Sequence, residues 1–215
     1  MQSRHNTALL DMLKRARVVP VLTIETADEA VGVARALLAG GLHTIEITLR
    51  TAVALAAIRR IRAEVPDVLV GAGTVLTPEL GASAIAAGAR FIVSPGMTPR
   101  LIEAAEQWAV PFLPGAATAS EAMALGDLGY RVLKFFPAGP MGGVAALKAL
   151  AAPLPGLAFC PTGGVDATNA ADYLALPNVA AVGGSWVAPA KLVQRGDWAG
   201  ISTLAEAAAL LRQVA

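Results

Sequence analysis

Short apolar runs, each bounded by glycine, proline or polar residues, alternate with alanine-rich stretches whose apolar positions recur at helical spacing. The runs predict strands over Val18–Ile24, Thr44–Leu49, Val68–Thr74, Phe91–Ser94, Pro111–Pro114, Arg131–Phe136, Leu157–Pro161 and Val179–Gly183. Helices are predicted after each strand, over Ala27–Ala39, Ala52–Glu64, Pro78–Ala87, Pro99–Trp108, Ser120–Leu125, Gly143–Ala151, Ala167–Leu174 and Leu204–Gln213. The first of these shows the logic. Thr26 can cap its start, Asp28 and Glu29 occupy its first turn, and Gly40-Gly41 ends it. A further helix, Thr7–Arg15, precedes the first strand.

Strand starts recur about every 20 to 26 residues, and each strand must cross over through a helix to reach a parallel neighbour. Eight such units are the number that closes a barrel with helices outside. The predicted fold is therefore a single α/β domain over residues 1–215, a (β/α)8 TIM barrel whose extra N-terminal helix covers the bottom. A doubly wound open sheet is the rival architecture. It calls for a glycine-rich fingerprint after the first strand, and Val18–Thr26 carries none.

Composition narrows the function. Hydrophobic residues make up 55% and charged residues 15%, which excludes a disordered polyelectrolyte and suits parallel strands covered by helices. So few charges leave part of the surface apolar, which favours a homo-oligomer. A net charge of +1, with Arg59-Arg60-Ile61-Arg62 as the main basic cluster, reads as a solvated helix face and argues against nucleic acid as partner. No apolar run reaches the roughly 18 residues of a membrane helix, and the N-terminus has no signal-peptide core, so a cytoplasmic protein is expected. The single cysteine, Cys160, excludes an internal disulfide and reads as a small core residue. Two histidines leave little material for a metal site, and none is expected.

The chemistry centres on one lysine. Of Lys14, Lys134, Lys148 and Lys191, only Lys134 lies inside an apolar strand, Val132-Leu133-Lys134-Phe135-Phe136. Alternation puts Val132, Lys134 and Phe136 on one face and Leu133 and Phe135 on the other. A charge pointed into the helix layer would cost several kcal/mol or more, so the barrel interior is the cheaper place for it. Glu46, in Thr44-Ile45-Glu46-Ile47-Thr48, offers the partner. The two could form a purely structural ion pair, although buried pairs stabilise weakly. The catalytic reading uses burial, and a cation such as Arg50 nearby, to favour a neutral nucleophilic amine. Such an amine condenses with a ketone to an iminium that draws electrons, with Glu46 moving protons beside it.

Other strand ends are richer than turns require. Gly163-Gly164 and Gly184-Ser185 follow the seventh and eighth predicted strands, the usual phosphate position in such barrels. Glycine lets backbone N–H groups approach an anion closely. Two such pairs at those strand ends favour an anion cradle over simple tight turns.

Seven blocks in register carry a resemblance. They are Val19-Pro20-Val21, Glu46-Ile47-Thr48-Leu49-Arg50-Thr51, Val70-Gly71-Ala72-Gly73-Thr74-Val75-Leu76, Ser94-Pro95-Gly96, Lys134-Phe135-Phe136-Pro137-Ala138, Phe159-Cys160-Pro161-Thr162-Gly163-Gly164 and Gly183-Gly184-Ser185-Trp186. From Val18 to Trp186 the chain resembles the 2-keto-3-deoxy-6-phosphogluconate (KDPG) aldolases, which also act on 4-hydroxy-2-oxoglutarate. The resemblance implies a cofactor-free lyase with Lys134 as the Schiff-base residue and Glu46 as general acid/base. Arg50, Thr74 and Thr162 would hold the carboxylate and keto end of the substrate, and Pro95 would line the pyruvate pocket. It also implies a homotrimer. Gly139-Pro140 and Gly115-Ala116-Ala117-Thr118 depart from the family pattern and bear on the distal end of the substrate. Three alternatives stay open: the aldolase for the galactonate epimer, a non-catalytic phosphate-binding barrel, and a barrel isomerase or decarboxylase. The last would carry an Asp–Lys alternation that is absent here.

Overall fold

The computed structural model describes residues 2–211, with side chains from residue 5 onward. In chain order the elements are α1 (Gln2–Ala16), β1 (Val18–Leu22), α2 (Ala27–Ala39), β2 (Thr44–Thr48), α3 (Ala54–Glu64), β3 (Leu69–Gly73), α4 (Pro78–Ala86), β4 (Ile92–Val93), α5 (Pro99–Ala105) and β5 (Phe112–Leu113). There follow β6 (Gly115–Ala116), α6 (Ala119–Asp127), β7 (Val132–Phe135), α7 (Gly143–Ala151), β8 (Ala158–Pro161), α8 (Ala170–Leu174), β9 (Val182–Gly184), α9 (Ala190–Arg195) and α10 (Trp198–Leu210).

The helices start where local chemistry supplies a cap. Thr26 and Glu29 form a reciprocal capping box on α2, as the sequence predicts, and Thr118 with Glu121 repeats it on α6. Threonines 77 and 98 cap α4 and α5, each followed by a proline in the first turn.

All recorded strand pairings are parallel. They build a six-stranded sheet in the order β5-β4-β3-β2-β1-β9 and a three-stranded sheet in the order β6-β7-β8. The predicted fifth strand, Pro111–Pro114, is thereby corrected: β5 pairs with β4, while β6 pairs with β7. Proline supplies the reason. Pro114 has no N–H to donate, yet its carbonyl accepts from the Lys134 N–H at 2.9 Å, so the chain changes sheets there. At the other side, Phe159 and Thr162 bridge in parallel to Val179 and Gly183.

Alternation along the strands feeds two apolar layers. Ile45, Ile47, Leu133 and Phe135 pack outward against the helices. Val19, Val93, Leu113, Val132 and Cys160 pack inward, and α1 adds Leu9, Met12, Leu13 and Ala16 to that inner cluster. The extra N-terminal helix therefore closes over the inner residues, as expected, and is longer than Thr7–Arg15.

Two helix expectations are corrected. The chain after β9 forms α9, which the sequence reading omits, and then α10, which starts at Trp198 rather than Leu204. Position 213, the expected end of that last helix, lies outside the described residues. Gly196 at φ +64 separates the two helices, and Asp197 caps the second. The helix expected from Ala167 begins at Ala170, because Asp166, Thr168 and Asn169 bond among themselves in a turn.

Tyr130 packs edge-on to Phe112, ring centroids 6.1 Å apart, and its buried hydroxyl has no partner among the described residues. Burial, with Glu106 a smaller influence, pushes this phenol up to about 12 from 10.0. The unfolded chain would release that proton first, so stability falls as pH rises from about 10 towards 12. Urea unfolding of Tyr130→Phe should show equal or greater stability at neutral pH, by up to about 1 kcal/mol, and a shallower alkaline decline. A loss above that size would mean the hydroxyl is bonded after all.

Candidate active site

The predicted residues gather where the strands run out. Glu46 is central in β2 and Lys134 is third in β7, and strand alternation turns both inward, beside Thr44, Thr48 and Val132. Their strands belong to different sheets, yet Lys134 Nζ donates to Glu46 Oε1 at 3.3 Å across the interior. Both are almost fully buried, at 5% and 4% exposure. Gly73 makes room for the acid, since a Cβ there would stand 1.9 Å from Glu46 Oε1.

Phe136, next on the same face as Lys134, sets its ring 5.4 Å from Nζ. The sequence assigns it no role, although alternation already places it beside the lysine. Cys160 is the direct β8 neighbour of Lys134 in the ladder. Burial pushes its thiol up to about 12, while the Lys134 ammonium pulls the other way. The thiol stays protonated and inert, in keeping with a small core residue.

Arg50 follows β2, and its Nε donates to Thr74 Oγ1 at 3.2 Å. Thr74 directly follows β3 and holds φ +57, a conformation that a β-branched residue adopts at a cost of about 1–3 kcal/mol. Its hydroxyl accepts from Arg50, which leaves its own proton to offer elsewhere. The segment carrying Arg50 is tied to the β1 end. Thr48 Oγ1 donates to the Leu22 carbonyl at 3.0 Å, so the Thr23 hydroxyl, 3.0 Å from Thr48 Oγ1, is left to donate to it. Thr51 Oγ1 donates to the Ile24 carbonyl at 2.6 Å. The sequence reading missed these threonines as braces, because the acceptors of Thr48 and Thr51 are backbone carbonyls at the end of β1 and just beyond it, and Thr23 meets another hydroxyl.

Pro95 follows β4, and its carbonyl lies so near Gly115 that a Cβ there would approach it to 2.2 Å. Gly115 in turn pairs with Lys134 in register. Thr162 follows β8; its hydroxyl makes a long 3.5 Å bond to the Cys160 carbonyl.

A cleft of ≈ 480 Å³ opens above this layer. Arg50, Phe136, Thr162, Gly163, Gly164, Gly184 and Ser185 border it, and Arg50 is its one charged lining residue. Glu46, Lys134, Thr74 and Pro95 do not line it; Lys134 reaches it through its neighbour Phe136, and Thr74 through its bond to Arg50. Gly163 and Gly164 hold φ +90 and +79, successive values that glycine adopts without strain. The N–H groups of Gly164 and Val165 have no intrachain acceptor among the described residues. Asn169 Nδ2 donates to the Gly164 carbonyl at 2.9 Å and fixes this loop, a brace the sequence reading did not identify. Among the described residues, no group of three or more His, Cys, Asp or Glu could hold a metal ion, and no helix is long and apolar enough to cross a membrane.

Comparison with known proteins gives the family. The family model for KDPG and KHG aldolase matches residues 9–204. The 2-dehydro-3-deoxy-phosphogluconate aldolase of Pseudomonas aeruginosa is 52% identical over 203 residues, covering 94% of this chain and 92% of that one. A KDPG aldolase structure from Legionella pneumophila, with pyruvate captured at low pH as a covalent carbinolamine intermediate, superposes with a TM-score of 0.90 at 43% identity. It covers 92% of this chain and 96% of that one. The Zymomonas mobilis enzyme solved with 3-phosphoglycerate gives 0.88 at 46% identity, covering 93% of this chain and 94% of that one. A family match over nearly the whole chain, and relatives about half identical across it, lead to one conclusion: the chain belongs to the KDPG and KHG aldolase family.

Proposed function

We propose that the protein is a Schiff-base aldolase that cleaves 2-dehydro-3-deoxy-6-phosphogluconate to pyruvate and glyceraldehyde 3-phosphate, and also cleaves 4-hydroxy-2-oxoglutarate to pyruvate and glyoxylate. The observation that carries this reading is the buried Lys134–Glu46 contact at 3.3 Å. One proton moved from the ammonium to the carboxylate creates both a nucleophile and an acid.

In the cleavage direction, the Lys134 lone pair attacks the C2 ketone. Glu46 then protonates the resulting hydroxyl, which leaves as water and gives an iminium. The Glu46 carboxylate removes the C4 hydroxyl proton, and the C3–C4 bond breaks with its electron pair drawn into the iminium. The aldehyde departs. Protonation at C3 and hydrolysis of the remaining enamine release pyruvate and restore the amine. The iminium is the electron sink, so the scheme uses no metal or organic cofactor.

Arg50 clamps the substrate carboxylate through the guanidinium N–H groups not given to Thr74, and the Thr74 and Thr162 hydroxyls complete its donors. Pro95 lines the pyruvate end. Gly163, Gly164, Gly184 and Ser185 form the phosphate cradle, supported by the cleft's single positive charge and by the unused N–H groups of its loop. The gluconate epimer is preferred over the galactonate one because the Pseudomonas aeruginosa relative, about half identical, carries the gluconate name.

The reading includes a closed eight-stranded barrel in which β5 and β6 are halves of one strand. The bridges from β8 to residues 179 and 183, and the Lys134–Glu46 contact between sheets, support it. It also includes a cytoplasmic homotrimer. Exposed Leu76, Met123 and Leu128 are candidates for the covered surface, and sedimentation equilibrium at three times the chain mass is the expected result.

Incubation with pyruvate and borohydride should add one pyruvate-derived mass at Lys134 in the native chain and none in Lys134→Met; an adduct elsewhere removes Lys134 from the scheme. Glu46→Gln should still trap pyruvate while turnover falls by about 100- to 10,000-fold; unchanged turnover excludes Glu46 as the shuttle. Asn169→Ala, by loosening the Gly164 loop, should raise KM several-fold for the phosphorylated substrate and leave 4-hydroxy-2-oxoglutarate kinetics unaltered. Equal effects on both substrates would detach that loop from phosphate binding.

A further inference from the structure

We propose that Phe136 is a catalytic residue whose ring face stabilises the positive charge that develops on the Lys134 nitrogen as water leaves and the iminium forms, a role that rests on Lys134 forming the iminium. The ring centroid lies 5.4 Å from Nζ, within the range of attraction between a cation and an aromatic face. The ring is held in place. Phe136 N–H donates to the Ala116 carbonyl at 3.1 Å, and a Cβ at Gly163 would touch the ring edge at 3.2 Å. Lys134 itself is 5% exposed, so little water competes for its charge.

The chemistry gives the ring a task that Glu46 cannot perform throughout. In the resting pair the ammonium offers three N–H donors, one of them directed at Glu46. When Nζ bonds to C2 and the keto oxygen leaves as water, the cationic nitrogen keeps at most one N–H. At that step Glu46 is the neutral acid that gives its proton to the leaving hydroxyl, so it sets no negative charge against the forming cation. Attraction to a ring face needs no N–H, because it arises from the quadrupole of the π system. The ring therefore favours the cation at the step where Glu46 is still giving up its proton. Phe136 also borders the cleft, so the same ring adjoins both the nitrogen and the open volume.

Ring fluorination separates this role from space filling, because fluorine drains the ring face of charge with little change of shape. Phe136 would be replaced by 4-fluoro-, 3,5-difluoro- and 3,4,5-trifluorophenylalanine in the full-length enzyme, alongside Phe136→Leu. Each is assayed for the rate at which pyruvate becomes trappable by borohydride, and for the site of the adduct. The expected result is a stepwise fall in that rate with fluorine number, to about tenfold for the trifluoro ring and at least as far for Phe136→Leu. A flat rate across the fluorinated series, with the adduct still on Lys134, overturns the proposal and leaves the aldolase reading standing. No adduct on Lys134 in the native enzyme overturns both.

Discussion

An ammonium and a carboxylate meet inside a wall of aliphatic side chains, and the rest of the molecule is arranged around that meeting. Lys134 and Glu46 come from strands of different sheets and lie 88 residues apart, yet stand 3.3 Å from each other. Either charge alone in that interior would cost several kcal/mol, so each requires the other, and both sheets must curve far enough to bring them together. Below the pair the interior is apolar, filled by Val19, Val93, Leu113, Val132 and the side chains of α1. Above it the cleft adds hydroxyls, glycines and one guanidinium to an otherwise apolar lining. The pair sits at the boundary between a core that stabilises and a rim that can bind.

That boundary is crowded, and glycine sets how close the groups come. A Cβ at Gly73 would overlap the Glu46 carboxylate, and one at Gly183 would stand 2.5 Å from Thr162 Oγ1. At both places the missing side chain is space taken by a polar group of the site. Thr74 shows the opposite case. A β-branched residue is kept at φ +57, where it costs energy, and its hydroxyl meets Arg50. Strain at that position is tolerated because the β3–β4 ladder and the Arg50 contact over-determine it. The threonines at 48 and 51 extend the same logic, holding the Arg50 segment to carbonyls of the neighbouring chain end so that its charge is aimed rather than loose.

Much of this was legible in the order of residues. Alternation in Val132-Leu133-Lys134-Phe135-Phe136 and in Thr44-Ile45-Glu46-Ile47-Thr48 put the charged residues on an inner face, and the structure puts Leu133, Phe135, Ile45 and Ile47 in the outer layer. Thr26 capped its helix as expected. The failures have local causes. Pro114 reads as the end of a strand, but the chain resumes directly after it as β6 in the other sheet. The first helix after β9 was missed because a short helix with no fully buried residue has no clear apolar face, and the second was started too late. Asn169 was passed over because its acceptor is a backbone carbonyl, which leaves no trace in the side-chain pattern.

By itself the sequence determined which residues face inward, where most strands lie, and that a lysine and a glutamate share the inner face with hydroxyls and glycine pairs at the strand ends. Those properties follow from periods of two and of 3.6 and from the chemistry of single side chains. Only the tertiary structure decided which groups touch: Lys134 with Glu46, its ring neighbour Phe136 and its ladder neighbour Cys160, and Arg50 with Thr74. Contacts between distant strands depend on sheet order and register, quantities set by the packing of the whole chain that no local period encodes.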